Sequence, residues 1–315
     1  MRHDLTLRVP GYDIPAALEL PAGQPTGAVL LIPGSLFSNV DGDYPTWNSF
    51  PRSSAYLAEQ MAERGLAVYR FAKLGPGTGS VETSPTEAKE LRSWKGRATI
   101  AHAALAHFSA ELAARGLRAP KTILAGHSEG SVVASVIARE GAAVDGVVLL
   151  SGPSVGILSI MIEQTRAMTP PGASEAPVKL LETVVAHIRK REPIPDEIRA
   201  QAGGQFGAGA LVNMPPDAIV YMRDCDATDP AATIAGYEKP VLIVQGGADT
   251  SVPVHHAEAL RAARGSRPTS YKFFPGLSHM YKAVPPGTSP MEMFNIPGPT
   301  DPGIAGAIDN FVRTL

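Results

Sequence analysis

Runs of consecutive apolar residues recur along the chain, separated by longer stretches in which apolar residues return every three or four positions. The run GAVLLIP is the first without a polar side chain. A strand with no polar face is buried on both sides, as in parallel sheets covered by helices. The predicted strands, in chain order, are 5–9, 14–20, 27–33, 66–71, 121–126, 144–151, 240–246 and 270–274.

The stretches between these runs have helical periodicity, and three of the predicted helices end at a glycine, a common terminator. Strands that alternate with helices favour an α/β fold. We therefore predict a mostly parallel eight-stranded sheet flanked by helices, whose first two strands form an antiparallel pair around Gly11. The predicted helices are 53–65, 97–116, 131–140, 255–265 and 305–315.

One segment interrupts the alternation between the sixth and seventh predicted strands. It contains two helical stretches, 159–168 and 178–192, and a glycine-rich run, AGGQFGAGA. Long insertions at strand ends are usually functional, because such ends form the ligand sites of open α/β sheets. We predict a core made of residues 1–153 and 239–315, with residues 154–238 inserted as a helical cap or lid.

Composition and charge exclude several kinds of partner. Hydrophobic residues make up 44% of the chain and charged residues 18%, which is enough apolar material for a large core. The formal net charge of -2 argues against nucleic acid or an anionic membrane as the main partner. The single cysteine, Cys225, excludes an intrachain disulfide and a metal site built on several thiolates.

The amino-terminal stretch MRHDLTLRVPGYDIP lacks the apolar segment and the small-residue cleavage site of a secretory signal. The apolar runs are far shorter than the ~18 residues that a membrane-spanning helix needs. We therefore expect a cytoplasmic protein without a membrane partner. The sequence does not determine the oligomeric state, and a homo-oligomer is one of the alternatives.

Two stretches match G-x-S-x-G, the turn that holds a nucleophilic serine between a strand and a helix in a strained, positive-φ backbone. GHSEG follows a predicted strand and leads directly into a helix, whereas GPSVG contains Pro153, which fixes φ just before its serine, and its helix starts late. We predict Ser128 as the nucleophile. For Ser154 we expect a residue that lines the pocket or caps a lid helix.

A serine hydroxyl is a poor nucleophile and needs a base, which is itself oriented by a carboxylate. Asp249 lies just after one predicted strand, and His279 lies just after the next. His255 and His256 follow Asp249 too closely to supply the base. The predicted triad is therefore Ser128, Asp249 and His279, in the chain order serine, acid, histidine.

Several motifs together resemble the α/β-hydrolase superfamily, in particular its bacterial serine esterase-like members with a helical lid. They are GAVLLIPGS, VYRFAKLGPGTGS, GHSEG, TDPAATIAGYEKPVLIVQGGAD, GGADTSVPV and FPGLSHM. In that fold the nucleophile follows the fifth strand, the acid the seventh and the base the eighth, which are the positions of the triad here. Pro33 and Ala72 depart from the resemblance, since they stand where the family often has histidine and usually has aspartate.

The resemblance implies an oxyanion hole made of two backbone N–H groups. One belongs to Glu129, the residue after the nucleophile, and we place the other at Ser35, with Leu36 as the alternative. The Glu129 side chain either faces the pocket or pairs with a surface arginine. The candidate substrate contacts are Leu36, Ser154, Met161 and Met214.

The expected reaction is hydrolysis of a small-molecule carboxylic ester with an apolar acyl or alcohol group, through an acyl-enzyme. The alternatives are hydrolysis of another acyl bond (thioester, amide, peptide, or a carbon–carbon bond beside a ketone) and ligand binding without catalysis on the same fold. No cofactor or metal is implied. NVDGD lacks the spacing of a calcium loop, and GPGTG lacks the lysine of a phosphate loop.

Overall fold

The computed structural model describes residues 1–170, 172–285, 288 and 292–315. Its nine described strands form one mixed β-sheet. The strands are β1 (Arg2–Val9), β2 (Tyr12–Glu19), β3 (Gly27–Ile32), β4 (Leu66–Phe71), β5 (Val81–Glu82), β6 (Thr122–His127), β7 (Gly146–Leu150), β8 (Val241–Gly246) and β9 (Thr269–Phe274). Their order in the sheet is β1-β2-β4-β3-β6-β7-β8-β9, and β5 pairs with β2.

All eight predicted strands are present, and β5 is a ninth that the sequence did not indicate. It has only two residues, both exposed, which pair with Tyr12 and Asp13 of β2. A strand of this length has no periodicity to detect. The strands from β4 through β9, in sheet order, pair in parallel, whereas β2 pairs antiparallel with β1, β4 and β5.

The central strands are buried on both faces because helices cover each side. Leu30 and Ile32 of β3 belong to one apolar cluster, whereas Val29 and Leu31 belong to another. Successive side chains of a strand point to opposite faces, so the two clusters mark the two faces of the sheet. This two-sided burial is what the uninterrupted apolar runs predict.

The helices are α1 (Ser53–Glu63), α2 (Pro85–Leu91), α3 (Trp94–Ala114), α4 (Glu129–Arg139), α5 (Ile157–Met168), α6 (Ala176–Lys190), α7 (Asp196–Ala202), α8 (Ala208–Val212), α9 (Pro216–Asp226), α10 (Pro230–Ala235), α11 (Val254–Arg264) and α12 (Pro302–Thr314). Helices α3, α4 and α11 contribute to the first apolar cluster, and α1 and α12 contribute to the second. None of the described helices is long and apolar enough to cross a membrane.

The chain divides into two units, one made of Met1–Ser154 and Pro230–Leu315 and the other of Val155–Asp229. The smaller unit contains α5–α9 and has its own apolar core, to which Leu158, Leu181 and Val184 belong. The sequence predicted only its two longest helices. The remaining three are short or begin at a proline, so their periodicity is weak.

Parallel pairing brings the carboxyl ends of β3, β6, β8 and β9 to one edge of the sheet. The chain passes from β3 to β4 on one side of β3 and then crosses to β6 on the other. In open α/β sheets, ligands bind at such a reversal of strand order. The loops that follow β3 and β6 meet at this point.

Candidate active site

Ser128 lies in a sharp turn between β6 and α4. Its backbone has φ 54° and ψ -124°, a conformation that L-residues seldom adopt. A Cβ atom on Gly126 would lie 2.1 Å from the carbonyl oxygen of Gly130, and one on Gly130 would lie 2.3 Å from that of Ile32. Both glycines of GHSEG are therefore required for the turn to form, which explains their spacing around the serine.

The serine of the second motif has a different environment. Ser154 is buried, and its φ is not positive. Its hydroxyl lies 2.9 Å from Nδ1 of the buried His256, and its backbone N–H donates to the same nitrogen at 3.3 Å. Gly156, rather than Ser154, precedes the first turn of α5. The structure thus joins Ser154 to His256 and places it away from a cap position.

Asp249 and His279 lie in the loops after β8 and β9, and both are buried. Nδ1 of His279 lies 2.8 Å from Oδ2 of Asp249. The other oxygen of Asp249 accepts hydrogen bonds from the backbone N–H groups of Ser251 (2.9 Å) and Val252 (2.8 Å). The carboxylate is thereby fixed in position and orients the imidazole ring.

The pKa of Asp249 lies below its ordinary value. Burial opposes ionisation, but the charge of His279, the hydrogen bond from that ring and the Val252 N–H together outweigh it. Asp249 is therefore a carboxylate at neutral pH, able to stabilise a positive charge on His279.

His127 connects the Ser128 turn to the His279 loop. Its Nε2 donates to the carbonyl oxygen of His279 at 2.9 Å, and the two ring centroids are 4.5 Å apart. Burial, followed by repulsion from His279, lowers the pKa of His127 to about 3, so its ring is neutral. The sequence did not single out His127. Its position just before the serine was the only available signal.

The loop after β3 passes beside the nucleophile turn. A Cβ atom on Gly34 would lie 3.3 Å from Cβ of Ser128 and 3.3 Å from the carbonyl oxygen of His127. Ser35 and Leu36, the two predicted sources of the second oxyanion donor, follow directly and are partly buried. The loop expected to supply that donor therefore lies next to Ser128.

The Glu129 side chain is buried and lies among buried cations, so neither of the two sequence-based interpretations describes it. Its Oε1 lies 3.0 Å from Nζ of Lys73 and 3.3 Å from Nε of Arg97. The Lys73 ammonium also donates to the carbonyl oxygen of Ser35, and Arg97 donates to that of Pro33. The sequence pointed to neither cation, because nothing in its pattern indicates that they meet at Glu129.

Three non-glycine residues with positive φ lie in segments that follow strands at this edge of the sheet. They are Ser128 (54°), Ser151 (48°) after β7 and Tyr281 (54°) after β9. Strained backbone of this kind tends to concentrate at functional sites, where surrounding contacts maintain it.

The predicted substrate contacts are divided between the two units. Leu36 and Ser154 belong to the larger unit, whereas Met161 and Met214 belong to the smaller one. Both methionines are partly buried and pack against the apolar core of the smaller unit.

Residues 29–294 match a family model described as the alpha/beta hydrolase family. No curated protein matches the chain. The chain is similar in structure to Est1E from Butyrivibrio proteoclasticus, with 17% sequence identity, a TM-score of 0.54, and coverage of 99% of this chain and 98% of that one.

Two other solved structures have comparable similarity. One is the esterase domain of a Rhodothermus marinus protein, with 15% identity, a TM-score of 0.52, and coverage of 100% of this chain and 98% of that one. The other is a proline iminopeptidase from Mycobacterium smegmatis, with 15% identity, a TM-score of 0.53, and coverage of 99% and 98%. At such identities the likeness extends to the fold alone.

Proposed function

The chain belongs to the alpha/beta hydrolase family, and on that premise we propose that it cleaves carboxylic esters with a triad of Ser128, His279 and Asp249. The contact between His279 and Asp249 carries this proposal. It joins a buried carboxylate to a histidine at 2.8 Å, at the sheet edge where the strained serine turn lies.

The contact with Asp249 supports one tautomer of the proposed base, with the proton on Nδ1 of His279. Because Nδ1 of His279 donates to Asp249, the other ring nitrogen, Nε2, is the one that accepts a proton. The Ser128 hydroxyl attacks the acyl carbon and transfers its proton to Nε2. The protonated ring then returns the proton to the departing alcohol. In the second half of the reaction a water molecule gives a proton to Nε2 and attacks the acyl-enzyme. The ring then returns the proton to Ser128, and the carboxylic acid leaves.

During each attack the acyl oxygen becomes negatively charged. We propose that it is bound by the N–H of Glu129, at the start of α4, and by an N–H of the loop after β3, at Ser35 or Leu36. The helix amino terminus adds a favourable dipole. Losing one such donor raises the barrier by roughly 3–4 kcal/mol.

For the substrate we propose a small ester with an apolar acyl or alcohol group. The smaller unit is inserted in the chain between β7 and β8, whose carboxyl ends belong to the edge that carries the triad. We propose that it acts as a cap and that Met161 and Met214 contribute apolar contacts. Leu36 and Ser154 would contribute contacts from the larger unit.

Labelling with a fluorophosphonate probe, read by intact mass, tests the nucleophile. Wild-type protein and Ser154→Ala should each gain one adduct, and Ser128→Ala should gain none. Hydrolysis of p-nitrophenyl esters should be lost with the labelling. Labelling of Ser128→Ala would transfer the role to another serine, and an unlabelled wild type would favour a binding protein.

A parallel panel that includes a proline p-nitroanilide distinguishes esterase from peptidase activity. We expect hydrolysis of the esters and not of the anilide. The opposite preference would retain the triad and replace the ester substrate with an amide.

A further inference from the structure

Three charged side chains meet beneath the proposed oxyanion hole. Lys73, Arg97 and Glu129 are only 4%, 6% and 2% exposed. Oε1 of Glu129 lies 3.0 Å from the Lys73 ammonium and 3.3 Å from Nε of Arg97. The mechanism proposed above uses the backbone of Glu129 but none of these side chains.

Stability alone gives a weak account of this cluster. Removing charges from water is costly, and buried ion pairs can often be replaced by apolar residues without loss of stability. The contacts of the two cations with backbone carbonyl groups suggest a different role.

Both cations hold carbonyl groups of the loop after β3. Arg97 donates to the carbonyl oxygens of Pro33 (2.6 Å) and Gly34 (3.4 Å), and Lys73 donates to that of Ser35. In a trans peptide plane the C=O and the following N–H point in opposite directions. The N–H groups of Gly34, Ser35 and Leu36 therefore face away from the cations.

Successive N–H groups that face the same way form an anion-binding concavity. This one begins at Gly34, whose backbone packs against Ser128. The same cations hold the side chain of Glu129, whose own N–H is the other proposed donor. One buried cluster thus connects the two halves of the oxyanion hole, which lie on different segments of the chain.

We propose that Lys73 is a positioning residue for the oxyanion hole. It acts through the Ser35 carbonyl, which sets the orientation of the Ser35–Leu36 peptide, and through Glu129, which fixes the start of α4. Arg97 supports it by holding the two preceding carbonyl groups. This inference rests on the proposed esterase function, and the test separates the two.

The test compares Lys73→Met with Lys73→Arg. Lys239→Met is the control for loss of a lysine–carbonyl contact away from the site, because the exposed Lys239 donates to the carbonyl oxygen of Val144 at 2.7 Å, at the amino ends of the strands. Steady-state kinetics use a p-nitrophenyl ester, with active sites counted by fluorophosphonate titration. A trifluoromethyl ketone serves as the tetrahedral analogue.

In Lys73→Met we expect kcat per active site to fall about 10- to 100-fold with KM nearly unchanged, because the donors act on charge that develops in the transition state. The affinity for the trifluoromethyl ketone should fall by a similar factor. Lys73→Arg should recover part of both losses, and Lys239→Met should lose neither.

Wild-type kcat and analogue affinity in folded Lys73→Met would overturn the inference and leave the esterase proposal intact. A variant with fewer titratable sites but normal kcat per site would also overturn it, since that result indicates a purely structural role. If Lys73→Met does not fold, Glu129→Gln removes the charge that pairs with Lys73, and the same pattern is expected. A wild type that neither labels nor hydrolyses esters overturns both proposals together.

Discussion

The residues at the proposed active site are held by contacts with distant parts of the chain. His127 illustrates this at the scale of a single side chain: it adjoins Ser128 in sequence and donates to the backbone of His279. A protonated His127 would carry its charge in a partly buried position next to another histidine, and this desolvation and repulsion lower its pKa.

His127 should make the stability of the protein depend on pH. Its pKa is about 3 in the folded protein and 6.5 without burial. Between these values the unfolded chain binds one more proton than the native state, so stability falls as the pH falls, by up to about 1.4 kcal/mol per pH unit. Well above pH 6.5 neither the native nor the unfolded state binds this proton, so His127 no longer lowers the free energy of unfolding.

Urea unfolding of wild type and His127→Gln at pH 7.5 and pH 5 measures this effect. Glutamine can still donate to the His279 carbonyl but does not titrate. Between pH 7.5 and pH 5 the free energy of unfolding should fall by up to about 2 kcal/mol more in the wild type than in the variant. Equal losses would show that His127 does not resist protonation.

At the scale of elements, a buried ion pair joins β4 to β2. Arg70 of β4 is 1% exposed and donates to Oε1 of Glu19 in β2 at 3.2 Å. It also donates to Asp41 at 3.1 Å and to the carbonyl oxygen of Val40 at 3.1 Å. Arg70 thereby fixes the loop between β3 and α1. The proposed oxyanion residues lie near the start of this loop.

Glu19→Ala should destabilise the protein by about 2–4 kcal/mol, because it leaves Asp41 as the remaining carboxylate paired with the buried charge of Arg70. Glu182→Ala is the control: Glu182 pairs with Arg166, both are exposed, and such pairs contribute roughly 0–1 kcal/mol. Chemical denaturation gives both values. A Glu19→Ala loss as small as that of the control would contradict a structural role for the β2–β4 pair.

At the scale of the whole molecule, the chain forms a sheet-based unit and a smaller helical unit inserted into it. Every residue of the proposed triad lies in the larger unit. If the smaller unit is the cap, substrate selection and chemistry belong to different parts of the chain, and substitutions should affect them separately.

Substituting Met161 and Met214, the two methionines of the proposed cap, tests this division. Met161→Ser with Met214→Ser should lower kcat/KM for long-chain p-nitrophenyl esters about 5- to 30-fold relative to the acetate, since the two lost apolar contacts together are worth about 1–2 kcal/mol. Met222→Ser is the matched control, because Met222 packs against the same apolar core. Equal effects on short and long esters, or an equal effect of Met222→Ser, would remove these two methionines from the substrate site.

From the sequence alone we could predict the α/β class and eight of the nine described strands, and we could prefer Ser128 to Ser154 as the nucleophile. These features rest on local signals: apolar runs, glycines at fixed spacing and the order of strand-end residues. The positions of Asp249 and His279 followed from the same order, because parallel strands place their carboxyl ends at one edge.

The side-chain contacts of the site became visible only in the folded chain. Lys73, Arg97 and Glu129 are far apart in sequence and have no shared pattern, yet they converge beneath the loop after β3. His256 pairs with Ser154 for the same reason. Side-chain contacts between distant segments depend on how helices pack on the sheet, and periodicity along the chain carries no record of that packing.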